Sequence, residues 1–193
     1  MAFQFSAVLT VGGYPIDEVS SSLQKCVRRS DLDGALFWCS ELDLTGYSAY
    51  AWKRLLIVCS EDVGISDPLL PAVIRALYEN WKTLTARKDT RHRPERLSLL
   101  HAVTLLCRAS KSRLVDNACT VFYSGPREQR EVEDHCLDKH TTRGRQMGRG
   151  FRHFFEEAAR LIPPSTIDGP YADRAKAISH NAKKDLFDNG DDE

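Results

Sequence analysis

Residues 48–68, SAYAWKRLLIVCSEDVGISDP, hold a helix and the turn that ends it. From Ser48 to about Cys59 the run is densely apolar through Leu55-Leu56-Ile57-Val58, the composition of a buried central helix. Glu61, Asp62 and Gly64 break the apolar pattern. Asp67 before Pro68 then suits the start of another helix, because a carboxylate caps free N–H groups and proline is tolerated in a first turn. Downstream, Leu70, Val73, Ile74, Leu77, Tyr78 and Trp81 predict a fourth helix from Pro68 to about Thr85. Upstream, Asp31 caps a helix with Leu32, Ala35, Leu36, Cys39 and Leu42 on one stripe, closed by Gly46. Before it, Pro15 opens a helix carrying Ile16, Val19, Leu23, Cys26 and Val27.

The outer parts follow the same pattern. Phe3 to Val11 alternates partially and reads as an edge strand or an extended arm. Lys82 to Arg96 is polar and basic, a long loop or frayed helix end. Helices are predicted over Pro94–Ser110 and Ser112–Tyr123, then a Gly125-Pro126 turn, then a helix from Gly148 to Leu161 closed by Pro163-Pro164. Order weakens from Ser165, and Asp185–Glu193 reads as an acidic tail. The predicted fold is all-α: a compact bundle of seven or eight short antiparallel helices. Its arm covers 1–14, its helical domain 15–164 and its weakly ordered acidic tail 165–193.

The chain has 193 residues, 42% of them hydrophobic, with 27 Lys+Arg against 27 Asp+Glu. A formal net charge of zero excludes a uniformly basic nucleic-acid coat and a uniformly acidic solvating chain. No apolar run approaches the ~20 residues that span a bilayer, so no membrane is expected. Met1 to Gly13 has neither a basic start nor a small-residue cleavage site, so no signal peptide is read. The six cysteines form no CxxC pair, and several sit on apolar helical faces. That usage favours a reduced, cytoplasmic protein.

The motifs missing from the sequence exclude several chemistries. The chain has no GxxxxGK[ST], GxSxG or HExxH motif and no GxGxxG after a strand, so no catalytic residue is assigned. Glu61, Asp62 and Asp67 resemble a general acid/base set, but a helix end and an N-cap explain them more simply. Cys136 and His140, four residues apart beside Asp134, His135 and Asp138, could face one metal. A third and fourth ligand at a specific spacing are not visible, so neither metal nor cofactor is predicted.

Charge is uneven along the chain although it sums to zero. Residues 31–68 hold seven acids against Lys53 and Arg54. Residues 82–113 hold nine bases against Asp89 and Glu95, and are read as a solvated or internally paired face. Residues 138–153, DKHTTRGRQMGRGFRH, hold Lys139 and four arginines against Asp138 alone. Glycines let a backbone approach a ligand, and arginine pairs phosphate in bidentate fashion. The candidate phosphate surface is Lys139, His140, Thr141, Arg143, Arg145, Arg149, Arg152 and His153. Arg145, Arg149 and Arg152 would share one helical face. Alternatively, the glycines only permit helix packing and the arginines pair with Glu156 and Glu157.

Ala35-Leu36-Phe37-Trp38, the run from Lys53 to Pro68 and the helix His101–Ser112 resemble the C-terminal helical region of the RarA/MgsA ATPases. These are relatives of the clamp loaders and include the eukaryotic Werner-helicase-interacting protein. The resemblance covers residues 31–118. It implies a clamp-loader-type oligomerisation domain, acting with DNA, single-strand-binding protein and an AAA+ ATPase at stalled replication forks. On that resemblance Ser60, Glu61, Asp62, Gly64, Asp67 and Pro68 form a structural turn. The ATPase module is absent and the 138–153 segment is not typical of that family's C-terminus.

The function expected is a non-catalytic oligomerisation or adaptor module of DNA replication or repair, self-associating and contacting nucleic-acid phosphates through 138–153. Two alternatives stand beside it. One is a small enzyme acting on a phosphorylated substrate, with His140 or His153 as acid/base; the other is a protein-only scaffold.

Overall fold

The computed structural model describes residues 8–87, 92–167 and 169–187. The described residues contain no strand. Leu9 and Pro15 form one isolated antiparallel bridge, with Gly13 at φ +83° in the turn between them. The arm expected over 1–14 is therefore a tight turn from Val8 onward. Residues 1–7, and residues 188–193 of the expected acidic tail, lie outside the described residues.

The chain divides into two compact units, one up to Arg127 and one from Glu128. The first unit holds α1 (Ile16–Arg28), α2 (Leu32–Leu44), α3 (Ser48–Val58), α4 (Leu70–Ala86), α5 (Glu95–Arg108) and α6 (Leu114–Cys119). The second holds α7 (Thr142–Gln146), α8 (Phe151–His153) and α9 (Ala172–Phe187). α9 lies in the segment where the sequence pattern weakens, and its described side chains are exposed through Ile178.

In the first unit α1 buries Ile16, Val19, Leu23 and Val27 completely, the stripe its spacing predicts. Each such side chain contributes about 1.5–3 kcal/mol by leaving water. α2 begins where Asp31 accepts a bond from the Gly34 amide at 3.0 Å, and it buries Ala35, Cys39 and Leu42. α5 packs against α1, α2, α3 and α4, sealing the core with Leu99, Ala102, Val103 and Leu106.

α3, expected as a buried central helix, is fully buried on one face only. Ala51, Trp52, Leu55 and Val58 are fully buried, but Ile57 is 39% exposed. A run of four apolar residues spans more than a full turn of helix, so part of it must face away from any one core. Ile57 and Leu56 instead line an open apolar groove of about 690 Å3 with Tyr78 of α4 and Val115 of α6.

α3 does not stop at Val58 but runs on through one wide turn, Cys59–Val63, closed by the Gly64 amide donating to the Cys59 carbonyl. Gly64 then takes φ +52°, a backbone that residues with a Cβ adopt at a cost. A short 3-10 turn, Gly64–Ser66, leads to Asp67, whose carboxylate accepts from the Leu70 amide at 3.2 Å. The expected cap is therefore present, although α4 starts at Leu70, not at Pro68.

Candidate functional site

The carboxylate turn is a structural junction. Asp62 is wholly buried. Arg28 of α1 donates from Nε to its Oδ1 at 2.6 Å, and Gln24 donates to its Oδ2 at 3.2 Å. Arg113, between α5 and α6, reaches the same Oδ1 at 3.4 Å. Glu61 accepts from Arg28 at 3.0 Å, and Arg54 of α3 bonds to Gln24. The Asp62 carbonyl takes the Ser112 amide at 2.9 Å. A buried carboxylate is tolerable only with such paired donors. Its hydrogen bond holds the Arg28 guanidinium above its ordinary pKa. The pattern of acids was visible in the sequence, but these partners were not, since they lie 34, 38 and 51 residues away.

The 138–153 segment belongs to the second unit, and its eight candidate residues are placed differently from one another. Thr141 caps α7, accepting from the Gly144 amide at 2.9 Å. Gly144 is buried against the Asp138 carbonyl, where a Cβ would overlap the oxygen. The close approach that glycine permits here is therefore to the chain itself.

The single arginine face expected for Arg145, Arg149 and Arg152 does not form. Gly148 at φ +71° separates α7 from α8, so no continuous helix links the three. The helix expected from Gly148 to Leu161 is correspondingly short: α8 begins at Phe151 and ends in a wide turn, Phe154–Ala158.

Arg149 folds inward, its side chain 14% exposed. It donates to the carbonyls of Asp134 at 2.6 Å and Leu137 at 2.9 Å and pairs with the Asp134 carboxylate. The Arg149 hydrogen bond holds Asp134 below the usual carboxylate range. Arg152 pairs with Glu156 at 3.1 Å, one of the two acids named as its alternative partners. Arg145 donates to the His140 carbonyl at 3.1 Å and Thr142 Oγ1 at 3.2 Å.

Lys139 and His140 are brought together with aromatic rings. The Lys139 ammonium lies 3.7 Å from the Phe151 ring centroid, a cation–π contact. The His140 ring meets Phe154 edge-on at 5.2 Å, and its Nδ1 lies 2.8 Å from Asp138 Oδ2. That ring bond lowers the Asp138 pKa. Both ring nitrogens of His153 are buried without a hydrogen-bond partner. Arg143 is exposed and forms no ion pair among the described residues. No group of three or more His, Cys, Asp or Glu side chains converges among the described residues. Among them, too, no helix is long and apolar enough to cross a membrane.

A family model described as MgsA AAA+ ATPase C terminal matches residues 29–163. The chain belongs to the MgsA AAA+ ATPase C-terminal family. The MgsA-type match takes in the 138–153 segment, which the sequence resemblance had left outside. It also covers the carboxylate turn, so both regions are parts of one family architecture.

Three similar proteins are each named replication-associated recombination protein A. That of Haemophilus influenzae is 27% identical over 168 residues, covering 80% of this chain and 36% of its own length. That of Bacillus subtilis is 31% identical over 139 residues, 69% of this chain and 31% of its own length. That of Escherichia coli K12 is 29% identical over 146 residues, 73% of this chain and 31% of its own length. The chain thus spans about a third of the length of the curated relatives it matches.

Proposed function

We propose that this chain is a non-catalytic helical module of DNA replication and recombination, acting in the cytoplasm by self-association and by contact with an AAA+ ATPase partner. The observation that carries the reading is the match over residues 29–163 to the C-terminal part of AAA+ ATPases. Relatives named for replication-associated recombination support the process. A sequence without a phosphate-loop motif supports a non-catalytic role. Light scattering on the full chain after size exclusion tests self-association. A strictly monomeric mass at high concentration would overturn it.

Contact with nucleic-acid phosphates is the second element, with single-strand-binding protein as a further partner of the same machinery. Arg143, exposed and without an ion pair among the described residues, favours it, with Arg145 on the same short helix α7. Fluorescence anisotropy with single-stranded and forked DNA at about 50 and 200 mM salt measures it. Several phosphate contacts give a loss of affinity on the order of ten- to a thousandfold between those salts. The informative variant is Arg143→Ala with Arg145→Ala; Arg149 is left intact because it holds the segment together. No binding by the wild type at low salt would remove DNA from the reading.

A further inference from the structure

The apolar groove of the first unit has one wall unlike the others. Its α3 and α4 walls stand on buried residues such as Leu55, Val58 and Ile74. The α6 wall, which contributes Val115, Asp116 and Cys119, has no buried residue. The wide turn Thr120–Ser124 that follows it has none either. Polar links join α6 to the unit: the Ser112 amide on the Asp62 carbonyl, and Arg113 on Glu61 at 3.6 Å and Asp62 at 3.4 Å. Arg113 also pairs with Asp116 of α6 itself. Val115 also lies beside Gly64, 3.5 Å from where a Cβ there would sit.

We propose that α6 is a latch, which opens the apolar groove by releasing Arg113 from the Glu61–Asp62 junction while the core stays folded. The junction is shared among several donors. Breaking a buried ion pair is normally expensive because it strands a charge. Here Asp62 keeps Arg28 at 2.6 Å and Gln24 at 3.2 Å when Arg113 leaves. Arg113 is 39% exposed already, so its guanidinium returns to water with little loss of contact. Glu61 likewise keeps Arg28 at 3.0 Å. The separation therefore exposes no uncompensated buried charge, whereas removing any of α1 to α5 would open the apolar core. Segments with few buried contacts open locally, below the free energy of global unfolding. Opening α6 widens access to Leu56, Ile57 and Tyr78, and the paired ions close it again.

Hydrogen–deuterium exchange of the full chain tests the latch. Amides of 112–124 are expected to exchange well before those of α1 and α3. Arg113→Ala should speed exchange in 112–124 by roughly three- to tenfold and leave 16–28 unchanged. Asp116→Asn, which keeps the Asp62 junction whole, should give a smaller rise in the same segment. A thiol placed by Leu56→Cys should be labelled faster in the Arg113→Ala background by a similar factor. The latch is overturned if 112–124 exchanges no faster than α3, or if either variant accelerates α1 and α3 as much as α6. It is also overturned if Leu56→Cys labelling ignores Arg113.

Discussion

The turn at residues 60–68 and the segment at 138–153 are both charged, glycine-containing and placed between helices, yet they use charge in opposite ways. In the first, Asp62 is buried and its partners arrive from α1 and from the α5–α6 link. In the second, Arg149, Arg152 and His140 find partners within fifteen residues, and most of those groups are exposed. Long-range pairing around a buried carboxylate ties helices together, because losing the close donors Arg28 and Gln24 would leave Asp62 a desolvated charge. Local pairing at a surface shapes only its own loop and contributes little to global stability.

Thiol reactivity should separate the core of the first unit from the surface of the second most sharply. Burial pushes Cys39 up to about 12 and Cys107 up to about 11. A thiol at about 12 is ionised in roughly one molecule in ten thousand at pH 8. Cys136 is exposed, so alkylation followed by mass mapping should mark it on a scale of minutes while Cys39 stays unmodified. Rapid labelling of Cys39 in native protein would mean that the core opens readily.

Asp62→Ala comes next in size. Removing the acceptor from Arg28, Gln24 and Arg113 should cost about 3–5 kcal/mol in chemical denaturation of the first unit. A loss below about 1 kcal/mol would show that the junction is solvated, as the 138–153 segment is. Gly144→Ala forces a Cβ onto the Asp138 carbonyl and should cost about 1–3 kcal/mol, read as faster hydrogen exchange in 137–149.

Acid should loosen the second unit. Asp134 and Asp138 are held low by Arg149 and His140 respectively. A carboxylate with a depressed folded-state pKa adds stability above its unfolded value, near 4, and loses it as pH falls through the folded value. Carboxyl carbon shifts of Asp134 and Asp138, followed by NMR from pH 6 to about pH 2, should report midpoints below those of unfolded peptides. Smallest of all, Arg143→Ala should change stability by no more than about 0.5 kcal/mol, since its side chain is exposed and makes no ion pair among the described residues. A larger loss would show that Arg143 is structural, like Arg149.

Local features were legible without the structure. The α1 stripe of Ile16, Val19, Leu23 and Val27, the Asp31 cap and the Asp67 cap all depend on residues within four positions of each other. The MgsA-type turn was legible as a motif for the same reason. The partners of Asp62 were not, because nothing in the spacing of Gln24, Arg28 and Arg113 distinguishes them from solvated charges. The arginine face was misread because periodicity was carried through Gly148, whose positive φ interrupts the helix.

By itself, then, the sequence determined the helices of the first unit, the Asp31 and Asp67 caps and the family, since propensity and periodicity act over one or two turns of chain. Tertiary structure alone decided which charges are buried and which face of α3 lines the groove. It also decided that Arg149 turns inward while Arg143 stays in water. Those outcomes depend on what desolvates a group, and desolvation comes from residues distant along the chain.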